Sequence, residues 1–353
     1  MTPFHSHTPL YILLSLLLLF FSCRNEEDIN PGGSYEEGIL ISNEGNFSDV
    51  DGSVSFFNPN ASEYRSKIFE KENSRPFGGL LQSIGLHNQY AYLIDNFGSR
   101  IEVVEVGSFK SIKTISAGLS LPRYFVAEGS EGFISNWGPY SDDFDSPDSF
   151  IAILDTEENL IGEIIPVPSR PEGLIIHDGK LYVSSLASDE ITVIDIFSHS
   201  IITTIKTAFG PSHFVVDGQG YLWVTCSAGI LLKIDPVTNG IIERIEIENL
   251  DGKLTIDGIG ETIYLMTSSF STDFSFTENS ILKLDIFSPE AAAIIFSARN
   301  LYGIGIDPRT DEIYLANSNA FLGNGTIIRI DKGGYEIDNF PSGRGPNGFV
   351  FRN

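Results

Sequence analysis

Four histidines lie beyond residue 23, at positions 87, 177, 199 and 213. None of His87, His177, His199 or His213 stands in a His-x-His or His-Glu-x-x-His spacing, the arrangements that gather imidazoles around a transition metal. The densest carboxylate group, Asp142, Asp143, Asp145 and Asp148, offers hard oxygen ligands of the kind calcium takes. Calcium needs six to eight oxygens in a fixed arrangement, and a bare acidic loop is as readily solvated. The stretch Asp49-Val50-Asp51-Gly52 has the start of a calcium loop but no distal Glu at the required spacing. Gly-x-Ser-x-Gly, phosphate-loop and dinucleotide fingerprints are absent from the sequence. Cys226 follows Trp223-Val224-Thr225 in an apolar run, where a small buried hydrophobe is expected rather than a nucleophile. No cofactor is expected from these patterns, and the chemistry left to the chain is recognition.

Aromatic, Arg and Asn side chains are the residues best suited to that task, and their placement depends on a repeat. A short strand pattern, aromatic or aliphatic, apolar, then small polar, returns seven times: Leu40 to Asn43, Tyr92 to Asp95, Phe133 to Asn136, Tyr182 to Ser185, Trp223 to Cys226, Tyr264 to Thr267 and Tyr314 to Asn317. The first residues of successive copies are 52, 41, 49, 41, 41 and 50 positions apart. Each copy is followed by a mostly alternating strand closed by a polar residue, such as Ile191 to Asp195 or Leu231 to Asp235. Most are preceded by a turn residue and an apolar run, as at Pro76-Phe77-Gly78, Pro122-Arg123-Tyr124, Pro171-Glu172-Gly173, Pro211-Ser212-His213, Leu301-Tyr302-Gly303 and Pro346-Asn347-Gly348.

Units of this length, made of four- to eight-residue strands with period-two alternation and Gly, Pro or Asp turns, predict an all-β, seven-bladed β-propeller with four-stranded blades. No window carries the sustained i, i+3, i+4, i+7 spacing that a helical solenoid requires. The chain enters its repeat on the second strand, residues 39 to 43, and ends on a lone first strand, residues 348 to 351. Pairing these two closes the ring and removes two exposed sheet edges.

Composition agrees. Hydrophobic residues make up 42%, aromatics 12% and charged residues 20%, with 34 Gly and 17 Pro, which excludes disordered, collagen-like and coiled-coil chains. A formal net charge of −25 repels phosphate backbones, so nucleic acid is not an expected partner. Two cysteines cannot build a disulfide framework, and packing must carry stability.

The recurring Tyr-Val-Ser and Ile-x-Val-Ile-Asp phrases resemble the YVTN-type repeat propellers, similar to the YncE family, over most of the chain. The opening Gly38-Ile39-Leu40-Ile41-Ser42-Asn43-Glu44-Gly45-Asn46-Phe47 is similar to the start of surface propeller lipoproteins of Bacteroidetes. That resemblance implies a lipid-anchored binding protein that captures a nutrient, cobalamin or another corrinoid among the candidates, for a TonB-dependent outer-membrane transporter. Residues 11 to 21 form an apolar run suited to an export signal and too short to span a bilayer, ending at Ser22-Cys23, which resembles a bacterial lipobox. The expected organisation is a signal peptide over 1–22, a tether over 23–36 after lipidated Cys23, and the propeller over 37–353. Glu26, Glu27 and Asp28 resemble the acidic signal that sends such lipoproteins to the cell surface.

Strand counting puts the loops that enter the innermost strands, and those joining the second strand of a blade to the third, on one face. There Phe77, Tyr124, Trp137, Tyr140 and Tyr302 are expected to give a large polar ligand planar contact, while Asn96, Arg123 and Asn317 orient its periphery. His213 lies on this face too, as an axial metal ligand or a hydrogen-bonded turn residue. Insertions at Trp137 to Ser149 and Ser268 to Asn279 lengthen two repeats in this loop position. The rival to capture is a lactonase- or lyase-type propeller enzyme with a central metal, for which Asn43, Asp95 and Asn136 end equivalent strands. A protein-binding surface propeller is the third reading.

Overall fold

The computed structural model describes Met1 and residues 35–352, so Cys23, the signal segment, the acidic cluster and most of the tether lie outside the described residues. Among the described residues the strands form seven four-stranded antiparallel sheets, the blades of a β-propeller. The innermost strands are Leu81–His87 (β4), Pro122–Glu128 (β8), Pro171–His177 (β12), Pro211–Val216 (β16), Leu250–Ile256 (β20), Leu301–Ile306 (β24) and Pro346–Arg352 (β28). The turn-and-apolar-run pattern that precedes the recurring strand in the sequence therefore supplies the axial strands.

Closure occurs as the terminal patterns require. Gly38–Asn43 (β1) lies between β28 and Ser53–Asn58 (β2), with Ile39 opposite Phe351, Ile41 opposite Phe349 and Ser42 opposite Gly348. Asn347 locks this seam: its Oδ1 accepts from Ser42 Oγ at 2.5 Å and its Nδ2 donates to Leu81 O and Gln82 O at 3.1 and 2.9 Å.

The second strand of each blade is covered on both faces by neighbouring sheets, which is why its sequence is nearly continuous in apolar residues. Tyr92, Phe133, Tyr182, Trp223, Tyr264 and Tyr314, the residues that open that pattern, are fully buried. Tyr92 stacks on Phe125 of the next blade with ring centroids 4.1 Å apart, and Trp223 Nε1 donates to Asp217 Oδ2 at 2.9 Å. Cys226 is buried as expected, and burial pushes its thiol up to about 12. The Asp that ends the next strand has a local role: Asp195 Oδ1 accepts the backbone N–H groups of Phe197 and Ser198, and Asp235 Oδ1 that of Val237. Such side-chain turns reverse the chain on the far face without a glycine.

One blade departs from the pattern. Its outer strand is only Glu63–Arg65 (β3), and a six-residue helix, Ile68–Asn73 (α1), follows it and buries Ile68 and Phe69. Such a helix is too short for the apolar periodicity by which helices are recognised in sequence.

Candidate functional site

Each innermost strand begins on the loop face, and the residue just inside its start points toward the axis. Around the ring these are Gln82, Arg123, Glu172, Ser212, Asp251, Tyr302 and Asn347. Strands converge most tightly here, so the next positions are often Gly. At Gly173 an added Cβ would come within 2.1 Å of Ser212 O on the adjacent blade.

The axial side chains form a polar floor. Arg123 makes two hydrogen bonds to Glu172 on the neighbouring blade, Nε to Oε2 at 2.9 Å and Nη2 to Oε1 at 2.8 Å. His213 Nε2 lies 3.1 Å from Tyr124 Oη, and Nδ1 lies 2.7 Å from Ser212 Oγ. Gln82 Nε2 reaches Tyr124 Oη at 3.5 Å. Tyr302 Oη donates to Glu44 Oε2 at 2.7 Å, and the Lys253 ammonium donates to Tyr302 O while lying 4.3 Å from that residue's ring centroid.

Burial and mutual charge set the ionisation of this floor. Burial, assisted by the Lys253 and Arg123 charges, brings His213 down to about 4, so it is a neutral imidazole at neutral pH. Burial lowers Lys253, with Asp251 and Glu44 opposing it. Burial also works against the Arg123 charge, but Glu172 more than offsets it and holds the guanidinium above its ordinary value. Burial and then Glu44 raise Tyr302 well above a free phenol. The result is a floor in which Arg123 faces Glu172 and Lys253 faces Asp251 and Glu44 around a neutral imidazole.

Above the floor stands Trp137, with the Arg123 guanidinium 4.3 Å and that of Arg170 5.7 Å from its ring centroid. Tyr140 meets it edge-on at 6.4 Å and is exposed. Trp137 Nε1 and Arg170 Nε are both buried without a hydrogen-bond partner. Farther out, Phe47, Phe97, Phe144, Phe209 and Phe274 are exposed on loops of the same face, and Phe270 is exposed at the end of a strand there. Several exposed phenyl rings around a polar centre form a collar, whereas isolated exposed apolar residues need no explanation.

Of the residues expected from sequence, Arg123, Tyr124, Trp137, Tyr140 and Tyr302 are brought together at or above the axis. Phe77 is not. Its side chain is 1% exposed in the core of its blade, edge-on to Phe69 at 5.8 Å and under the Arg100 guanidinium, so planar contact with a ligand is corrected to core packing. Asn96 donates to Pro122 O at 3.2 Å, and Asn317 donates to Arg299 O at 2.9 Å while accepting from Asn319 N at 2.8 Å. Both therefore shape loops. The rival metal-site set is corrected as well: Asn43, Asp95 and Asn136 end equivalent strands but are fully buried inside blades. Asp95, for example, accepts from Leu80 N, Gly98 N and Arg100 Nε. In the first insertion, Asp145 accepts from Ser169 Oγ at 2.7 Å, and among the described residues no three His, Cys, Asp or Glu side chains gather as for a metal ion.

Sequence reasoning did not single out Glu172, Lys253, Glu44 or Gln82. For Gln82 and Glu172 the usable signal was positional, a polar residue right after the turn that opens an innermost strand; Lys253, farther along its strand, and Glu44, after β1, gave no such signal.

The geometry can be set beside known proteins. A family described as Domain of unknown function (DUF5074) matches residues 37–336. The chain belongs to this family. No curated protein matches the sequence. Similar solved structures include a functionally unknown protein from Desulfotomaculum acetoxidans, 11% identical, covering 90% of this chain and 99% of that one with a TM-score of 0.67. A quinonprotein alcohol dehydrogenase-like protein from Bacteroides thetaiotaomicron is 15% identical, with 90% and 79% of the chains covered and a TM-score of 0.66. Hydrazine synthase of Kuenenia stuttgartiensis is 16% identical, with 76% and 88% covered and a TM-score of 0.62. At these identities the likeness is one of fold, shared by enzymes and by propellers of unknown function alike.

Proposed function

We propose that this DUF5074 protein is a non-catalytic capture module that binds a large polar nutrient on its loop face. The observation that carries the reading is a closed, internally paired polar floor beneath Trp137 and a collar of exposed phenyl rings. Such a surface offers an extended amphiphilic ring system apolar contact at its edge and directional hydrogen bonds at its centre. A corrinoid such as cobalamin has that shape and that mix of surface. On this reading Cys23 carries the lipid anchor, Glu26, Glu27 and Asp28 direct display at the cell surface, and a TonB-dependent outer-membrane transporter receives the ligand.

Calorimetry of the purified protein with cobalamin, haem and oligosaccharides tests the reading. Cobalamin binding is expected, and Trp137→Ala should weaken it by more than tenfold, since truncating a buried aromatic anchor commonly costs about 2 kcal/mol or more. Val237→Ala, on the opposite face, should leave binding unchanged. Failure of all three ligands to bind overturns capture by this face. Anchoring has its own readout: Cys23→Ser should release the protein from membranes, and replacing Glu26, Glu27 and Asp28 with Ala should protect it from protease applied to intact cells.

A further inference from the structure

Each innermost strand starts on the loop face, so the turn that follows it lies on the opposite face, as does the turn joining the third strand of a blade to the fourth. Three such turns, from the blades opened by β4 and β8, come together there. With Ile112 they surround a cavity of about 420 Å³. Its wall is made of amides and hydroxyls, Asn88, Gln89, Asn159, Ser130 and Thr156, with the Tyr90 ring among them. The lining residues include no Lys or Arg, and Glu157 is the one carboxylate. His87 also lines the cavity, but its Nε2 is held 2.8 Å from Gly129 O.

Most of this polar wall is unspent. Among the described residues, the side chains of Gln89, Tyr90, Ser130 and Thr156 have no hydrogen-bond partner. Asn159 is 8% exposed, and its Oδ1 is unpartnered as well. An internal comparison shows that this is not a property of the turn. Asn239 stands four residues after Asp235, as Asn159 does after Asp155, and its Oδ1 accepts from Tyr182 Oη of the preceding blade at 3.3 Å. Tyr92 holds the place of Tyr182 in the blade preceding Asn159, and its buried Oη has no partner either. The pair that closes on itself between the blades opened by β12 and β16 therefore stays open between those opened by β4 and β8. Buried polar atoms are costly to leave unpaired, so an open donor and an open acceptor in one place point to a group that serves both.

We propose that this cavity binds a neutral saccharide unit. A sugar hydroxyl donates and accepts at once, which matches a wall of mixed amides and hydroxyls, and Tyr90 with Ile112 offers apolar contact to the C–H face of a pyranose. Glu157, the lack of a lining Lys or Arg and the net charge of −25 select against acidic sugars. The proposal does not rest on the loop-face reading, with which the cavity shares no residue.

Saturation-transfer NMR titration of the full chain tests it, with the methyl glycosides of glucose, galactose, mannose and N-acetylglucosamine as probes and glucuronate as the charged control. At least one glycoside should bind, and glucuronate should bind about tenfold more weakly or less, because its carboxylate would meet Glu157 without a counter-charge. Gln89→Ala, at an exposed turn position, and the nearly isosteric Thr156→Val should each weaken the glycoside about fivefold with thermal unfolding unchanged, since neither side chain has a partner in the protein to lose. Trp137→Ala should leave glycoside binding intact, so a failure of the corrinoid reading is distinguishable from a failure of this one. Absence of binding by all four glycosides, glucuronate binding as tightly as they do, binding unchanged in either cavity variant, or binding lost with Trp137→Ala overturns the proposal.

Discussion

Tyr124 Oη and His213 Nε2 lie 3.1 Å apart although their strands, β8 and β16, are separated in the ring by β12. The contact reaches past the intervening blade and joins Gln82, Tyr124, His213 and Ser212 into one hydrogen-bonded group of the floor. Acidification should expose this network. His213 has a folded pKa of about 4 against an ordinary 6.5, so as pH falls through that window the unfolded chain takes up the proton first. Its contribution to stability is fully present above 6.5 and is lost as pH falls toward 4. Denaturant unfolding from pH 7 to 4 should be flatter for His213→Gln than for the parent, and parallel curves would refute the assignment.

His199 should show the opposite sign. Its Nε2 lies 3.0 Å from Glu131 and its Nδ1 3.2 Å from Glu163, two carboxylates of the preceding blade. Burial opposes the charge, but these partners raise the folded pKa above 6.5. The stabilisation is therefore complete below the ordinary value and is lost as pH rises through the folded one. The parent's advantage in thermal midpoint over His199→Gln should shrink between pH 5.5 and pH 9.

Glu172→Ala should be the most damaging floor substitution. It strips the partner from a buried guanidinium, a loss that costs about 3–5 kcal/mol when a buried pair is broken from one side. The double variant with Arg123→Met should recover part of this. Additive losses in chemical denaturation would show that the two side chains act independently.

Phe77→Ala separates core from ligand contact. Removing a buried phenyl costs about 3–5 kcal/mol, and the loss should appear in the denaturation midpoint with ligand affinity unchanged. A stable variant with weakened binding would return Phe77 to the ligand face.

The propeller was legible because its signals are repeated and local. Tyr182-Val183-Ser184 and Trp223-Val224-Thr225 read as buried strands since both faces of a second strand are covered, and the closing Asp195 and Asp235 read as turns since their side chains cap the backbone just after them. The floor was only half legible. Arg123 and Tyr124 were visible from position, but pairing with Glu172 on the neighbouring blade and His213 one blade farther on depends on how the innermost strands are arranged around the axis, a relation of the ring and not of any window. Phe77 misled for the same reason: an aromatic after proline looks identical whether it turns toward the axis or into its own blade, and α1, with no periodicity to announce it, supplies the Phe69 contact that draws it inward.

Truncation before residue 346 should abolish cooperative unfolding. It takes away β28, the strand that covers the inner edge of β1, together with the Asn347 bonds that tie the seam to β4. An unchanged, single thermal transition would show that the ring does not depend on its seam.

That seam also orders events in time. The blade begun by β1 stays incomplete until residues 346–352 are free to dock, so a chain that emerges from first residue to last cannot shut the ring until some three hundred residues after β1 have followed it. Until then the partly formed arc is an open fan with one unfinished blade. Strand β28 works as a clasp, converting its own arrival into the moment at which the seven strand starts of the loop face first surround one axis.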